Sequence, residues 1–510
     1  MKFKHIVAIG LLIIVGSGFV KPKKTMQVFV ANYENVLGTS LEMKFKAENQ
    51  ADADIAELNA LNEIDRLDDI LSAYKNSSEF TRWMKNGQQT TKISAELFEV
   101  LQQFEHYKEL TNGALDASAE VINRVWKKAA AENSLPSAAE LKTALSAVKQ
   151  KHYILDEKNS TVTRLDDAPL ALNSFAKSYI INKAAEKAIH TAGIENVVVN
   201  IGGDIVIKGG GTEIIEIANP KADAENETAL STIKVSNKAV ATSGNYRRGY
   251  HVNGKWYSHI VDPRTGKPVS EIISATVITP NASEAGALAT SFNVLSVVEI
   301  EKIAASRNDI AYMLVTKDGA EIKNQAWTKY EVEIIKPAIA SLSKTKADKL
   351  WDTKMELIVN LELANIESTD GRRVRRPFVA VWVEDDTKKP VRNLAIWYNK
   401  PRWLPDLKSW NRSNGEEFQK GEDSKLSSTS SATRGPGKYS LVWNGKDDEG
   451  KLVKEGNYTV FIEVAREHGT YQILSQSMKF TGTAKKIEFK PNTELSSASL
   501  DYRKITTAKK

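Results

Sequence analysis

The sequence predicts two domains of different class, an α+β domain over residues 23–335 and an all-β sandwich over residues 352–485. Three observations carry this. Runs of period two and runs of period 3.6 alternate up to about residue 335. The stretch "IKPAIASLSKTKADK" is then short of large apolar side chains and rich in lysine, so residues 336–351 are expected to be a linker. Beyond it, only short apolar runs remain, separated by Gly, Asp and Asn turns. A chain of 510 residues is long enough for two full hydrophobic cores.

Taken in order, "MKFKH" is basic and "IVAIGLLIIVG" is apolar. That run is shorter than the roughly 20 residues needed to span a bilayer. Residues 1–22 therefore read as a secretory leader, and the chain as exported to the periplasm or cell envelope, with no membrane span apart from the leader. "TMQVFVANYENVLGTSLEMKFKA" alternates like half-buried strands. "ADADIAELNALNEIDRLDDILSAY" places Ile55, Leu58, Leu61, Ile64, Leu67 and Ile70 or Leu71 at helical spacing and predicts a helix buried along that stripe. Further helices are expected at "SAELFEVLQQFEHYKEL", "AAELKTALSAVKQ" and "AKSYIINKAAEKAIHTAG", the last capped by Gly193 before the strand "NVVVNIGG".

In the second domain, "MELIVNLELANI", "PFVAVWVED", "NLAIWY", "KYSLVWNG", "NYTVFIEVA" and "MKFTGT" read as strands. Residues 486–510 read as a Lys-rich tail, and "SKLSSTSSATRGPG" as a mobile loop. The Asp447-Asp448-Glu449 cluster reads as a solvated turn, because its spacing fits no EF-hand loop.

Composition narrows the function. The net charge is only +6, so no nucleic-acid partner is expected. The absence of cysteine excludes disulfides, thiolate catalysis and Cys-ligated metals. Four segments then stand out: "NSFAKSYIINKAA", "VNIGGDIVIKGGG", "VATSGNYRRGY" and "SHIVDPRTGKPV". Glycine turns at strand ends let backbone N–H groups approach phosphate. Lys and Arg neutralise diphosphate charge. A histidine beside an aspartate can take a proton from a hydroxyl or hold a phosphate oxygen. Singly, each segment is equally readable as plain structure: "IGGD" is not a dinucleotide-binding glycine pattern, and Asp-Pro-x-Thr-Gly can be a hairpin corner.

Together and in this order they resemble the ApbE family, the FAD:protein FMN transferases. "LGTSLEMKF", "ILSAYKNSSEF", "GALDAS", "FAKSY", "VNIGGDI", "ATSGNY" and "HIVDPRTGKPV" are similar to the family's successive motifs through most of residues 30–335. The resemblance implies an α+β transferase domain. It also implies an enzyme that splits FAD, releases AMP and joins FMN through its phosphate to a threonine of an exported flavoprotein, with magnesium as cofactor. By the same resemblance, His259 and Asp262 are the catalytic pair, His259 moving a proton or holding phosphate and Asp262 orienting the loop. Asp116, Asn173, Lys177, Asn200, Gly202, Gly203, Asp204, Ser243, Gly244, Tyr246, Arg264 and Thr265 are the expected FAD-binding residues, and Ala176 and Thr290 the expected metal ligands.

The chain also departs from the pattern. The family's metal aspartate is Gly286 here. Positions 286 and 290 share a helix face, whereas Glu284 lies roughly 200° away from 286. Asn293 has no charge, and Ala171, Asn173, Ser174, Ser178 and Asn182 also depart from the common residues. Alternatives therefore stand beside the transferase: a relative that binds or hydrolyses FAD, or a non-catalytic envelope binding protein with a degraded metal site. The C-terminal "YSLVWNGKDDEGKLVKEGNYTVFIE" resembles immunoglobulin-like modules of the flagellar hook-capping type, which implies a fold and not an activity; the domain is expected to serve in docking. "SSATR" is similar to the family's acceptor sequences and makes Thr433 a candidate flavin acceptor.

Overall fold

The computed structural model describes residues 25–332, 349–366, 376–419 and 430–505, except 223, 225, 228, 247, 432, 467 and 468. The expected leader, most of the expected linker and much of the Ser/Thr-rich loop lie outside the described residues.

The first domain is built on one eight-stranded sheet. Its strands are β1 (Gln27–Val36), β2 (Thr39–Ala47), β3 (Ile194–Ile201), β4 (Asp204–Gly209), β5 (Ala239–Gly244), β6 (Ile272–Thr279), β7 (Ala311–Thr316) and β8 (Glu321–Lys323). They lie in the sheet in that same order, and every neighbouring pair is antiparallel. Strand–helix alternation thus reflects helices inserted between antiparallel strands, which makes the domain α+β. Three of these helices cover one face: α1 (Gln50–Leu71), α2 (Ala176–Ile189) and α3 (Ala282–Phe292). A hairpin of Glu213–Ile217 and Ser231–Val235 covers part of the other, with buried Trp327.

Helix α1 is turned from the expected stripe. Ile55 and Leu58 are 52% and 57% exposed, while Ala53, Ala56, Ala60, Ile64, Leu67 and Leu71 are buried. The small residues face α2, whose Ala184, Ala185 and Ala188 are also fully buried, so the two helices approach closely. Alanine supplied the contact face, and larger apolar residues were left outside it.

The second domain has two sheets. One contains β9 (Met355–Leu363), between β12 (Gly437–Trp443) and β16 (Leu495–Lys504), with β15 (Lys485–Glu488) at its edge. The other contains β10 (Phe378–Asp385), β11 (Pro390–Trp397), β13 (Gly456–Ala465) and β14 (Tyr471–Phe480), with a short bridge at Ser430–Ser431. Trp351, Trp443, Phe480 and Tyr502 pack between them, with Trp351 4.7 Å from Trp443 and Phe480 4.9 Å from Tyr502.

Three expectations change here. Residues 486–504 are no tail: β16 pairs with β9 along Met355–Leu363 and buries Leu495, Leu500 and Tyr502. The serines of "SSASL" masked that alternation. Trp351, placed in the linker by composition, belongs to the second core. A helix, Lys408–Gln419, also interrupts the all-β pattern, its first turn held by buried Glu463, which accepts from the Ser409 and Trp410 N–H groups at 2.8 and 2.7 Å. The Asp447-Asp448-Glu449 cluster is a turn, as expected, with Asp447 accepting from the N–H groups of Glu449 and Lys451, but it is not wholly solvated, since Asp448 accepts from the Asn393 N–H and Nδ2 at 3.0 Å each.

Deleting residues 486–510 removes an inner strand and its buried aromatics. The truncated chain is expected to lose the cooperative unfolding transition of the second domain while keeping that of the first, as read by thermal melting and limited proteolysis.

Candidate active site

A cavity of about 840 Å³ opens at the ends of the central strands, within the range of roughly 300–1,000 Å³ usual for small-molecule sites. Its walls come from the start of β2, the β3–β4 turn, the end of β5, the N-terminal part of α2, α3 and the turn carrying His259. Of the sequence-predicted residues, Asp116, Asn173, Lys177, Asn200, Gly202, Gly203, Asp204, Ser243, Gly244, Tyr246, His259 and Thr290 all line it.

The β3–β4 hairpin sets the floor. Ile201 pairs with Asp204, so Gly202 and Gly203 alone make the turn, with φ of +61° and +102°. Two consecutive positive φ values are what a type I′ two-residue hairpin turn requires and what glycine supplies. Asn200 accepts from the Gly203 N–H at 3.4 Å. Asp204 follows, accepting from Ser178 Oγ at 2.6 Å. Burial pushes the Asp204 carboxyl up to about 6, against the Ser178 hydrogen bond and the Lys177 charge. Burial lowers Lys177, Arg248 lowers it further, and Asp204 opposes both.

His259 donates Nδ1–H to the Arg248 carbonyl at 2.9 Å, since a carbonyl only accepts. This fixes the tautomer of the neutral ring and leaves the Nε2 lone pair available. Burial lowers the pKa of the ring; the bond to the Arg248 carbonyl raises it and the Arg248 charge lowers it. His259 is therefore neutral at pH 7 and suited to accept a proton.

Beyond His259, the charged residues Asp262 and Arg264 of the "HIVDPRTGKPV" turn bond to one another and to the backbone. Asp262 accepts from Arg264 N, Nε and Nη2 at 2.8, 3.0 and 3.1 Å, and its own carbonyl accepts from Gly266 N at 2.8 Å. Arg264 Nη1 reaches Glu299 at 2.8 Å, and Trp126 Nε1 donates to the Gly266 carbonyl at 2.9 Å. Asp262, Arg264 and Thr265 are not on the cavity wall. The side chains of Asp262 and Arg264 bond within the turn, and in this structure Asp262, Arg264 and Thr265 stand behind the wall rather than on it.

The expected metal ligands do not assemble. Thr290 lines the cavity, but its hydroxyl donates to the Ser174 carbonyl at 3.1 Å. Ala176 is buried at the start of α2 and off the wall. A Cβ at Gly286 would lie 3.1 Å from Ser178 Cβ, 3.2 Å from Phe175 Cβ and closer still to Ser178 Oγ. The volume an aspartate would need at 286 is filled from α2. Glu284 is turned away to Arg307 at 3.0 Å, and Asn293 donates to the Ser243 carbonyl at 3.0 Å. Among the described residues, no group of three His, Asp or Glu side chains converges. These residues do not fit the cation that the resemblance implies.

Thr433 is 4% exposed and off the wall; its neighbour Arg434 lines the cavity instead. Arg248, Glu42, Glu216 and Arg434 are wall residues beyond those expected. Arg248 had a local signal, two residues past Tyr246 in the same glycine-turn segment. Arg434 had none, because only the packing of the second domain brings it there.

The ApbE family profile matches residues 37–314, more than half of the chain. The chain belongs to the ApbE family. Two curated relatives are named FAD:protein FMN transferase. That of Vibrio cholerae is 28% identical over 279 residues, covering 53% of this chain and 83% of the relative. That of Haemophilus influenzae is 29% identical over 259 residues, covering 49% and 75%. The solved ApbE protein of Thermotoga maritima aligns with a TM-score of 0.54 and 26% identity over 60% of this chain and 100% of that one. The flavin transferase ApbE of Vibrio cholerae, at 22% identity and a TM-score of 0.51, supports the fold. Residues 358–497 match a second family, described as predicted periplasmic protein (DUF2271). The hook-capping likeness continues to rest on its short motif alone.

The packing at Ser178 yields a double-mutant test. Gly286→Asp alone is expected to destabilise this ApbE-family domain by about 2 kcal/mol or more, through overpacking and a buried carboxylate. Ser178→Gly combined with it should restore most of that loss in urea unfolding, giving a coupling energy of about 1 kcal/mol or more.

Proposed function

We propose that this ApbE-family chain is an exported flavin transferase that binds FAD in the cavity, releases AMP and joins FMN to a threonine hydroxyl of another envelope protein. The observation that carries this is His259, with Nδ1–H committed to the Arg248 carbonyl and Nε2 available on the wall of the cavity. The curated names of the relatives support the same reaction, and the DUF2271 match supports the location.

The chemistry is a phosphoryl transfer, in which positioning and charge stabilisation do most of the work. The acceptor hydroxyl oxygen bonds to the FMN-side phosphorus, and the bond from that phosphorus to the bridging oxygen breaks. AMP leaves with that oxygen, and the hydroxyl proton passes to Nε2 of His259. Lys177 and Arg248 lie near each other on the wall and meet the developing charge. The Gly202–Gly203 turn lets the ligand approach the backbone, and Tyr246 offers an aromatic face for the flavin.

A second reading, a holder of FAD that transfers poorly, is favoured by Gly286 and the filled space beside it. AMP release from FAD separates the two. We expect release by the full chain, lowered about 10²-fold or more in His259→Ala with flavin still bound. Since the pKa of His259 is lowered, activity should be full at pH 7 and fall only as pH drops through a value below 6.5. Flavin binding without any AMP release would favour the holder.

The acceptor belongs to another protein on this reading. As an acceptor, Thr433 would have to leave its buried position for its hydroxyl to reach the cavity. Intact-mass analysis of the chain after incubation with FAD is expected to show no FMN adduct at Thr433.

A further inference from the structure

The turn that carries His259 and one helix of the cavity wall form a single unit. Helix Ala119–Ala131 buries Ile122 and Trp126 in a cluster with Val261, two residues past His259. Trp126 also ties the helix to the far end of the same turn through the Gly266 carbonyl. Residues three and four apart share a helix face, so Ala119, Glu120 and Asn123 stand together on another side, and all three line the cavity.

The carboxylates of this stretch are already met. Asp116 accepts from Ser118 N and Oγ at 2.8 and 2.7 Å and pairs with Lys108 at 2.6 Å, and Glu120 pairs with Arg124 at 3.2 Å. Asn123 differs, because its Oδ1 is buried and accepts no hydrogen bond. Among the described residues, it is the one side-chain oxygen that is buried without a partner and belongs to a residue of the cavity wall. A buried acceptor left unmet costs about 1–3 kcal/mol, a cost that a ligand with a donor removes. The torsion that turns an asparagine amide is soft, so the oxygen can swing to such a donor.

The direction of attack says which ligand brings the donor. In phosphoryl transfer the entering and leaving oxygens lie roughly in line through phosphorus. His259 takes the proton of the entering hydroxyl, so the acceptor stands on the His259 side and AMP departs away from it. Asn123 shares the corner of His259 and therefore meets the acceptor. A threonine within a chain holds its hydroxyl between two peptide groups, and each peptide N–H is a donor. An asparagine reads a peptide in this way elsewhere in the molecule. Asn226 of the first domain accepts from the Val442 N–H of the second at 2.7 Å and donates Nδ2 to the Val442 carbonyl at 2.9 Å.

We propose that Asn123 is a recognition residue for the acceptor: its Oδ1 accepts a backbone N–H of the segment that carries the threonine, and so presents the hydroxyl to His259. The proposal rests on the reading of the cavity as the site of FMN transfer. It makes the substrate a threonine whose neighbouring peptide groups are free to bond, hence one in an extended, unpaired segment and not inside a helix or sheet.

The test uses the full chain with FAD and two alcohols, N-acetylthreonine methylamide, which has both flanking peptide groups, and isopropanol, which has none. AMP and the FMN esters are followed by chromatography and mass spectrometry, and FAD affinity by flavin fluorescence. Wild type should favour the threonine compound in kcat/KM by about tenfold or more. Asn123→Leu and Asn123→Ala should each cut that ratio about tenfold, through the KM of the threonine compound and with FAD affinity unchanged. Asn123→Asp, which keeps an acceptor oxygen, should retain more of the ratio than either. A ratio that survives in both apolar variants, or no preference in wild type, overturns the recognition of the acceptor. Weaker FAD binding in the variants with the ratio kept assigns the oxygen to FAD and overturns it as well. A wild-type chain that esterifies neither alcohol brings down the transferase reading itself, an outcome distinct from an unchanged ratio.

Discussion

The pairing of Ile201 with Asp204 is the constraint on which the cavity depends. It leaves two residues for the turn between β3 and β4, and both are glycine. Because side chains alternate along a strand, a slip of one residue would send Asp204 to the opposite face of the sheet. In register, Asp204 meets Ser178 of α2, and Ser178 in turn occupies the space beside Gly286 of α3. One ladder register thus fixes a turn, a buried carboxyl and the separation of two helices.

The turn that carries His259 is held by different means. A carboxylate, a guanidinium and several backbone bonds lock Asp262, Arg264 and Gly266 together, and Glu299 and Trp126 anchor them from outside. That rigidity leaves one titratable side chain facing the cavity with its tautomer settled. The neighbouring charged residues bond to one another and to the backbone, and so hold the corner in shape.

Much of this was legible in the sequence. The glycine turns, the strands ending in them and His259 are local features, and local patterns predicted them well. The face of α1 was misjudged because alanine carries little hydrophobic signal, although its size allows helices to approach. β16 was hidden because serine on its outer face made the segment look like a tail. The separation of cavity residues from scaffold within "HIVDPRTGKPV" depends on side-chain direction, and spacing alone does not give that. Arg434 was beyond reach for a stronger reason: its place follows from the contact of two domains.

The fit between Ser178 and Gly286 also sets an order on any pair of substitutions that would bring a carboxylate into this site. An aspartate introduced first at 286 would collide with a side chain already in place. A glycine introduced first at 178 would cost only about 1 kcal/mol in the helix and would open the space. The two changes are not interchangeable in time. The passable route runs through an intermediate with glycine at both positions, so the packing of two helices dictates the sequence in which this site can change.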